Sequence, residues 1–192
     1  MARTKEFDKA EVLEKAKQLF WKQGFHATTV QNLVDHLGIN RASIYNTFGG
    51  KNELYEAAFK SYREENFNFL KSRLSNSKNI RKDLTTLFKD IVSTSILDED
   101  RKGCFVVNCT TEYLPIHNNI LADLNDNQKC FQNLVSEVLQ RGIDNGEFDD
   151  NMNVKDISSY LFTFLSGLQI SSKVKPKKAE LFRLVDLAFK AF

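Results

Sequence analysis

Leu33 to Phe48, LVDHLGINRASIYNTF, restricts the folds open to this chain more than any other stretch. It divides into two helical segments of about eight residues joined by Leu37-Gly38-Ile39-Asn40. Isolated helices that short do not persist in water, so tertiary packing has to hold both. Leu33, Leu37, Ile39 and Ile44 fall where the two helices would touch, and Gly38 supplies a corner residue free to take φ > 0. Asn40 is placed to cap the second segment. The pattern predicts a helix-turn-helix. Arg41, Ser43, Tyr45, Asn46 and Thr47 then face outward. A water-facing helix surface usually carries Lys and Glu, whereas short hydrogen-bonding groups suit bases and phosphates. Such a second helix fits the major groove with its N-terminal side chains against base edges. The bland alternative is an ordinary helical hairpin with a glycine turn.

The flanking sequence reads as helix throughout. Asp8 and Glu11 have capping-box spacing with Phe7 at the staple position, and Val12, Leu13, Ala16, Leu19 and Phe20 form an apolar stripe. Gly24 ends that helix and Phe25 follows as its apolar contact. Thr28 and Gln31 repeat the capping-box spacing ahead of the segment ending at Leu37, and Gly49-Gly50 stops the next one. From Lys51 a longer helix should reach the polar break Ser75–Asn79, and another should end in Asp98–Lys102. A short helix from Gly103 to Leu114 stops at Pro115, and a long one through Leu121 and Leu139 reaches Asn145-Gly146. Val154–Ser172 and Lys178–Ala191 follow, separated at Lys175-Pro176. Two prolines and eight glycines are few breakers for 192 residues, and neither a repeat nor a low-complexity tract interrupts the pattern. The expected fold class is all-α, about nine helices, with a three-helix helix-turn-helix domain over residues 1–50 and a larger helical domain over 51–192.

A hydrophobic fraction of 42% is enough to bury a sizeable core. Charge is distributed unevenly. Residues 1–51 carry 8 Lys/Arg and 5 Asp/Glu, 8 − 5 = +3, and the remainder carries 19 and 20, 19 − 20 = −1. A basic N-terminal quarter suits a polyanion at that end only. No run of eighteen apolar residues exists, so no membrane span is expected, and the N-terminal residues lack the apolar core of a secretory leader. Cys104, Cys109 and Cys130 are an odd number without metal-ligand spacing, which suits a reducing cytoplasm. His26, His36 and His117 are scattered. With no nucleophile–base order, paired carboxylates or phosphate-binding glycine loop, neither an enzyme nor a metal or cofactor is expected.

From Thr28 to Phe59 the sequence TTVQNLVDHLGINRASIYNTFGGKNELYEAAF resembles the DNA-binding signature of the tetracycline-repressor (TetR) family. The likeness rests on the threonine before the first motif helix, the Leu-Gly-Ile turn, Ser-Ile-Tyr, Phe48, and Lys51 with Glu53-Leu54. The remainder is similar in layout only. The resemblance implies a homodimeric regulator, a repressor, that binds a palindromic double-stranded operator and answers to a small apolar effector. By that likeness Thr29 and Tyr45 hold phosphates, with Lys51 adding charge at a helix N-terminus. Gln31, Arg41, Ala42, Ser43 and Asn46 read or line base edges, Arg41 being suited to guanine O6 and N7, and Thr47 touches either.

The likeness also implies a four-helix dimer interface, here residues 128–145 and Val154–Ser172, with Leu134, Val138, Tyr160, Leu161, Phe164, Leu165 and Leu168. A ligand pocket is expected among Phe59, Phe67, Phe88, Phe105, Asn108, Phe131 and Phe162, although aromatic residues at helical spacing are also what a plain core contains. Cys104 follows Arg101-Lys102 at an expected helix start, which would favour a thiolate and allow an oxidant or electrophile sensor on the same fold. Inert packing is the other reading of that thiol. Two rivals lack DNA binding altogether: an all-α protein-interaction module and a helical enzyme on a borrowed fold.

Overall fold

Asp8 opens the first helix, α1 (Lys9–Gln23), by accepting hydrogen bonds from the Ala10 and Glu11 amides. Glu11 does not return the bond as a capping box would; it pairs with Lys15 at 2.6 Å. The computed structural model describes residues 7–174 and 176–192. Residues 1–6 of the expected reading domain and Lys175 of the expected break therefore lie outside the described residues.

Helix α2 (Val30–Leu37) begins one residue later than the sequence reading placed it. Thr29, not Thr28, is the cap, and it pairs reciprocally with Asn32 rather than with Gln31. The reason is local: Thr28 is buried and its hydroxyl donates to the Gly24 carbonyl at 2.6 Å, while the Gln31 amide donates to Asp35. Gly38 turns the corner at φ 69°, ψ 20°, and Asn40 caps α3 (Arg41–Phe48) through the Ser43 amide at 2.8 Å.

The remaining helices are α4 (Lys51–Leu74), α5 (Ile80–Leu97), α6 (Phe105–Asn108), α7 (Leu121–Asp144), α8 (Val154–Ser172) and α9 (Lys178–Lys190). Among the described residues there are thus nine α-helices and no strand. The segment expected to be one helix from Gly103 to Leu114 starts at Phe105, because Gly103 takes φ 64°. It then widens into a π-turn over Cys109–Tyr113, where the Leu114 amide reaches back to the Cys109 carbonyl. A single 3₁₀ turn, Asn118–Ile120, leads into α7.

Buried apolar residues form two clusters. One joins α1, α2, α3 and the first half of α4 to α6 and the π-turn, with Phe20, Phe25, Tyr55, Phe105 and Tyr113 meeting largely edge to face. The other joins the end of α4 to α5, α7, α8 and α9. Helix α4 contributes to both, so it runs as one rod from the N-terminal unit into the body.

Candidate nucleic-acid interface and effector cavity

Ile44 is wholly buried beside Leu33 and Leu37, which turns the opposite side of α3 outward. Arg41, Ala42, Tyr45 and Asn46 are exposed there, and Ser43 and Thr47 are half-buried at its edges. The Arg41 guanidinium lies 5.6 Å from the Tyr45 ring centre, so the two side chains share one surface. Thr29 and Gln31 are exposed at the start of α2, with the Thr29 hydroxyl engaged by Asn32 at 2.7 Å and Gln31 tied to Asp35. Lys51 is the exception among the nine expected contact residues. It is folded inward, Nζ 4.0 Å from the Phe25 ring centre, and burial pushes its pKa down against the pull of Glu112.

A second junction links this N-terminal unit to the body. The Glu112 carboxylate accepts from the His26 amide at 2.8 Å and lies against Gly24. Lys17, only 2% exposed, is held between Glu14 at 2.5 Å and Glu65 at 2.6 Å. Burial opposes its charge, but the two glutamates outweigh burial and hold its pKa above the usual lysine value. Neither link figured in the sequence reading. Lys17 had left a signal, standing four residues after Leu13 and three before Phe20 on the apolar side of α1.

Between α1, α4, α5 and the loop after α5 lies a cleft of about 710 Å³. Tyr62, Asn66, Ile91 and Gln169 wall it and also wall a smaller inner chamber reaching α6, α7 and α8. Of the seven expected pocket residues, Phe131 and Phe162 line that chamber. The other five do not. Phe59 and Phe105 are buried in the edge-to-face core against Tyr55 and Tyr62, and Phe88 is packed between Phe164 and Phe189. Phe67 faces a separate outer depression beside Arg63 and Cys130. Asn108 is used internally, donating to the Lys102 carbonyl and accepting from Lys173 at 3.0 Å.

Cys104 is half-buried on the wall of the inner chamber, with the Tyr62 hydroxyl 3.7 Å away. Burial pushes its pKa up, and the Val106 and Val107 amides and Lys173 do not compensate. The cationic help expected from the preceding residues is directed elsewhere in the case of Lys102, which lies over Trp21 and near Asp98. Cys109 is fully buried and pushed up to about 12, burial again being the main cause.

Of the expected interface residues, Val138, Leu161 and Leu168 are buried in the chain's own core and have no surface left to offer a second chain. Helix α7 spends its apolar stripe on α4, α5 and α8. Leu134, Phe164 and Leu165 are half-buried, and Tyr160 is 43% exposed. Exposed apolar side chains along and just beyond α8 are Tyr160, Ile170 and Val174, and on α9 they are Leu184 and Leu187. Gly167 lies in the same row with open space before it. Helix α9, which the expected interface did not include, carries two of these exposed side chains.

Among the described residues no His/Cys/Asp/Glu group could hold a metal ion, and no helix is long and apolar enough to cross a membrane. Residues 12–58 match the family described as bacterial regulatory proteins, tetR family, and residues 82–186 match the tetracyclin repressor-like C-terminal domain. The HTH-type transcriptional regulator YezE of Bacillus subtilis is 32% identical over 188 residues, 97% of this chain and 95% of that protein. The HTH-type transcriptional repressor ComR of Escherichia coli is 25% identical over 187 residues, 97% and 88% of the two chains. A cysteine mutant of the regulator CifR, solved with a 26-base-pair operator duplex, superposes with a TM-score of 0.87 at 23% identity over 100% of both chains.

Proposed function

This chain belongs to the TetR family of bacterial regulatory proteins, and from that premise we propose that it is a homodimeric repressor that binds a palindromic DNA operator through α3. The observation that carries the reading is the outward face of α3. Arg41, Ala42, Tyr45 and Asn46 are exposed on a helix whose opposite side is locked by Ile44 and whose entry is fixed by Gly38 and Asn40. Arg41 and Asn46 supply base-edge donors and acceptors, Ser43 and Thr47 flank them, and Tyr45 and Thr29 reach phosphates. Lys51 contributes its backbone amide at the start of α4, and its ammonium would have to swing away from Phe25 to meet a phosphate.

One α3 covers too few base pairs for a specific site, which favours a two-fold dimer with recognition helices about 34–36 Å apart. The apolar face of α8 and α9 is the surface suited to that pairing, with Gly167 allowing close approach. The cleft and inner chamber supply the effector site. A molecule that prefers a different spacing of the two α3 helices lowers operator affinity by linkage. Helix α4 is the physical connection, since it walls the chamber and also packs on α1 and α3. The cytoplasm is the compartment this function requires, and the same site logic assigns the chain no catalytic role. The raised Cys104 pKa weighs against a thiol sensor. Selection from a random duplex pool tests the proposal: enriched sequences should carry two inverted half-sites about one helical turn apart. Enrichment of no sequence at modest salt would refute it.

A further inference from the structure

Where the end of α1 meets the body, a surface notch of about 200 Å³ lies between Lys22 and Gly24, the loop before α6, and the residue after α8. Four cations line it: Lys22 from the reading head (α1 to α3), and Arg101, Lys102 and Lys173 from the body. Glu112 is the one carboxylate on its wall, and that group accepts from the His26 amide at 2.8 Å and lies in the field of Lys51. Outside the notch, Asp100 pairs with Lys22 at 2.7 Å and Asp98 answers Lys102 loosely at 3.8 Å. Arg101 and Lys173 have no carboxylate within ion-pair distance among the described residues. The Lys173 ammonium is half-buried and donates to a neutral partner, the Asn108 carboxamide oxygen, at 3.0 Å. Its stem crosses Gly103, where an added Cβ would stand 3.1 Å from Lys173 Cδ, so the glycine keeps that path open.

Like charges gathered around one notch repel, and partial burial of Lys173 removes water that would screen it. An anion in the notch relieves both. A carboxylate would neutralise only one of the two spare cations. A phosphate group near neutral pH carries close to two charges and three strong acceptor oxygens, enough for both. The notch has room for about six waters, which accommodates that group with a small substituent. We propose that it binds a phosphate group, with Arg101 and Lys173 as the principal ligands and Lys22 contributing from the reading head. The notch shares no wall residue with the inner chamber, and the assignment does not depend on what α3 recognises. Because Lys22 stands on α1 and the other cations on the body, an anion held by both restrains the angle between the two.

The test follows amide NMR shifts of the full-length protein near neutral pH and at fixed ionic strength, with methyl phosphate, inorganic phosphate, acetate and methylammonium as probes. Methyl phosphate should shift the Gly24 and Lys102 amides along one saturating curve, since one site touches both sides of the joint. Acetate should bind at least about tenfold more weakly, and methylammonium should leave both amides unmoved. Arg101→Gln and Lys173→Met should each weaken methyl phosphate about tenfold, as loss of one charge-assisted hydrogen bond implies. Arg101 is exposed in a loop, so its variant stands as a test even if Lys173→Met fails to fold. Lys82→Met removes an exposed cation from the first turn of α5, the end away from the notch, and should leave affinity unchanged. Inorganic phosphate binding as tightly as methyl phosphate identifies the free ion as the ligand, weaker binding identifies an ester, and either supports the site. Shifts that never saturate, that acetate reproduces at equal concentration, or that either folded variant leaves unchanged overturn it.

Discussion

Gly24→Ala should damage the joint between the reading head and the body, by an amount that can be worked out. Gly24 closes α1 at φ 84°, ψ 170°, a backbone region that L-residues avoid. Forcing alanine there costs about 1–3 kcal/mol. An added Cβ would also stand 2.5 Å from a Glu112 carboxylate oxygen. Glu112 has to move, which breaks its 2.8 Å bond from the His26 amide. That bond is charge-assisted but half-exposed, so its loss adds about 1 kcal/mol. The sum, about 2–4 kcal/mol, corresponds to a fall in Tm of about 4–16 °C for a chain of this size. Urea denaturation at fixed protein concentration reads it as a lower midpoint at unchanged slope. Glu112→Ala separates the two causes. In that background the steric part vanishes and only the backbone strain remains, leaving a coupling of about 1 kcal/mol. An alanine variant within about 0.5 kcal/mol of wild type would refute the reasoning, as would an equal cost in both backgrounds, the span of ordinary surface changes being that small.

Other consequences are simpler to state. Ile44→Ala, at a wholly buried position, should cost about 2–5 kcal/mol and abolish operator binding by loosening α3, which hydrogen exchange of the α2 and α3 amides will show. Tyr160→Glu combined with Ile170→Glu, both at exposed positions of α8, should yield a folded monomer in sedimentation and a loss of operator affinity; an intact dimer would mean that α8 is not the pairing face. The raised pKa of Cys104 means that near neutral pH it is protonated more fully than a free thiol. Its reactivity should rise only as pH climbs past the usual cysteine range of about 8.5, so iodoacetamide should alkylate it more slowly than a model thiol at pH 8. Faster alkylation would restore the sensor reading.

What could be read from the sequence was what local rules determine. The corner at Gly38, the cap at Asn40 and the stops at Gly24 and Gly49-Gly50 depend on a few adjacent residues, and each stands where expected. The outward set on α3 followed from Ile44 being the one residue that must face in. Periodicity says that Phe59, Phe88 and Phe131 each face something apolar. It does not say whether that something is another ring or an empty chamber, and only Phe131 meets the chamber. The same ambiguity mixed Leu161 and Leu168, which face the core, with Tyr160, which faces out one residue earlier on the same helix. Lys17 and Glu65 meet across 48 positions of chain, a separation that no local pattern encodes. The α2 start moved by one residue because two adjacent threonines compete for one cap, and burial of Thr28 decides between them.

The most direct test of α3 as the reading element is the base-by-base specificity of Arg41→Ala beside wild type, measured by fluorescence anisotropy on the selected duplex and its single-base variants. Arg41→Ala should lose about 1–3 kcal/mol on the preferred site and stop discriminating at one base pair in each half-site, while its other preferences persist. Affinity and discrimination identical to wild type at every position would contradict the account.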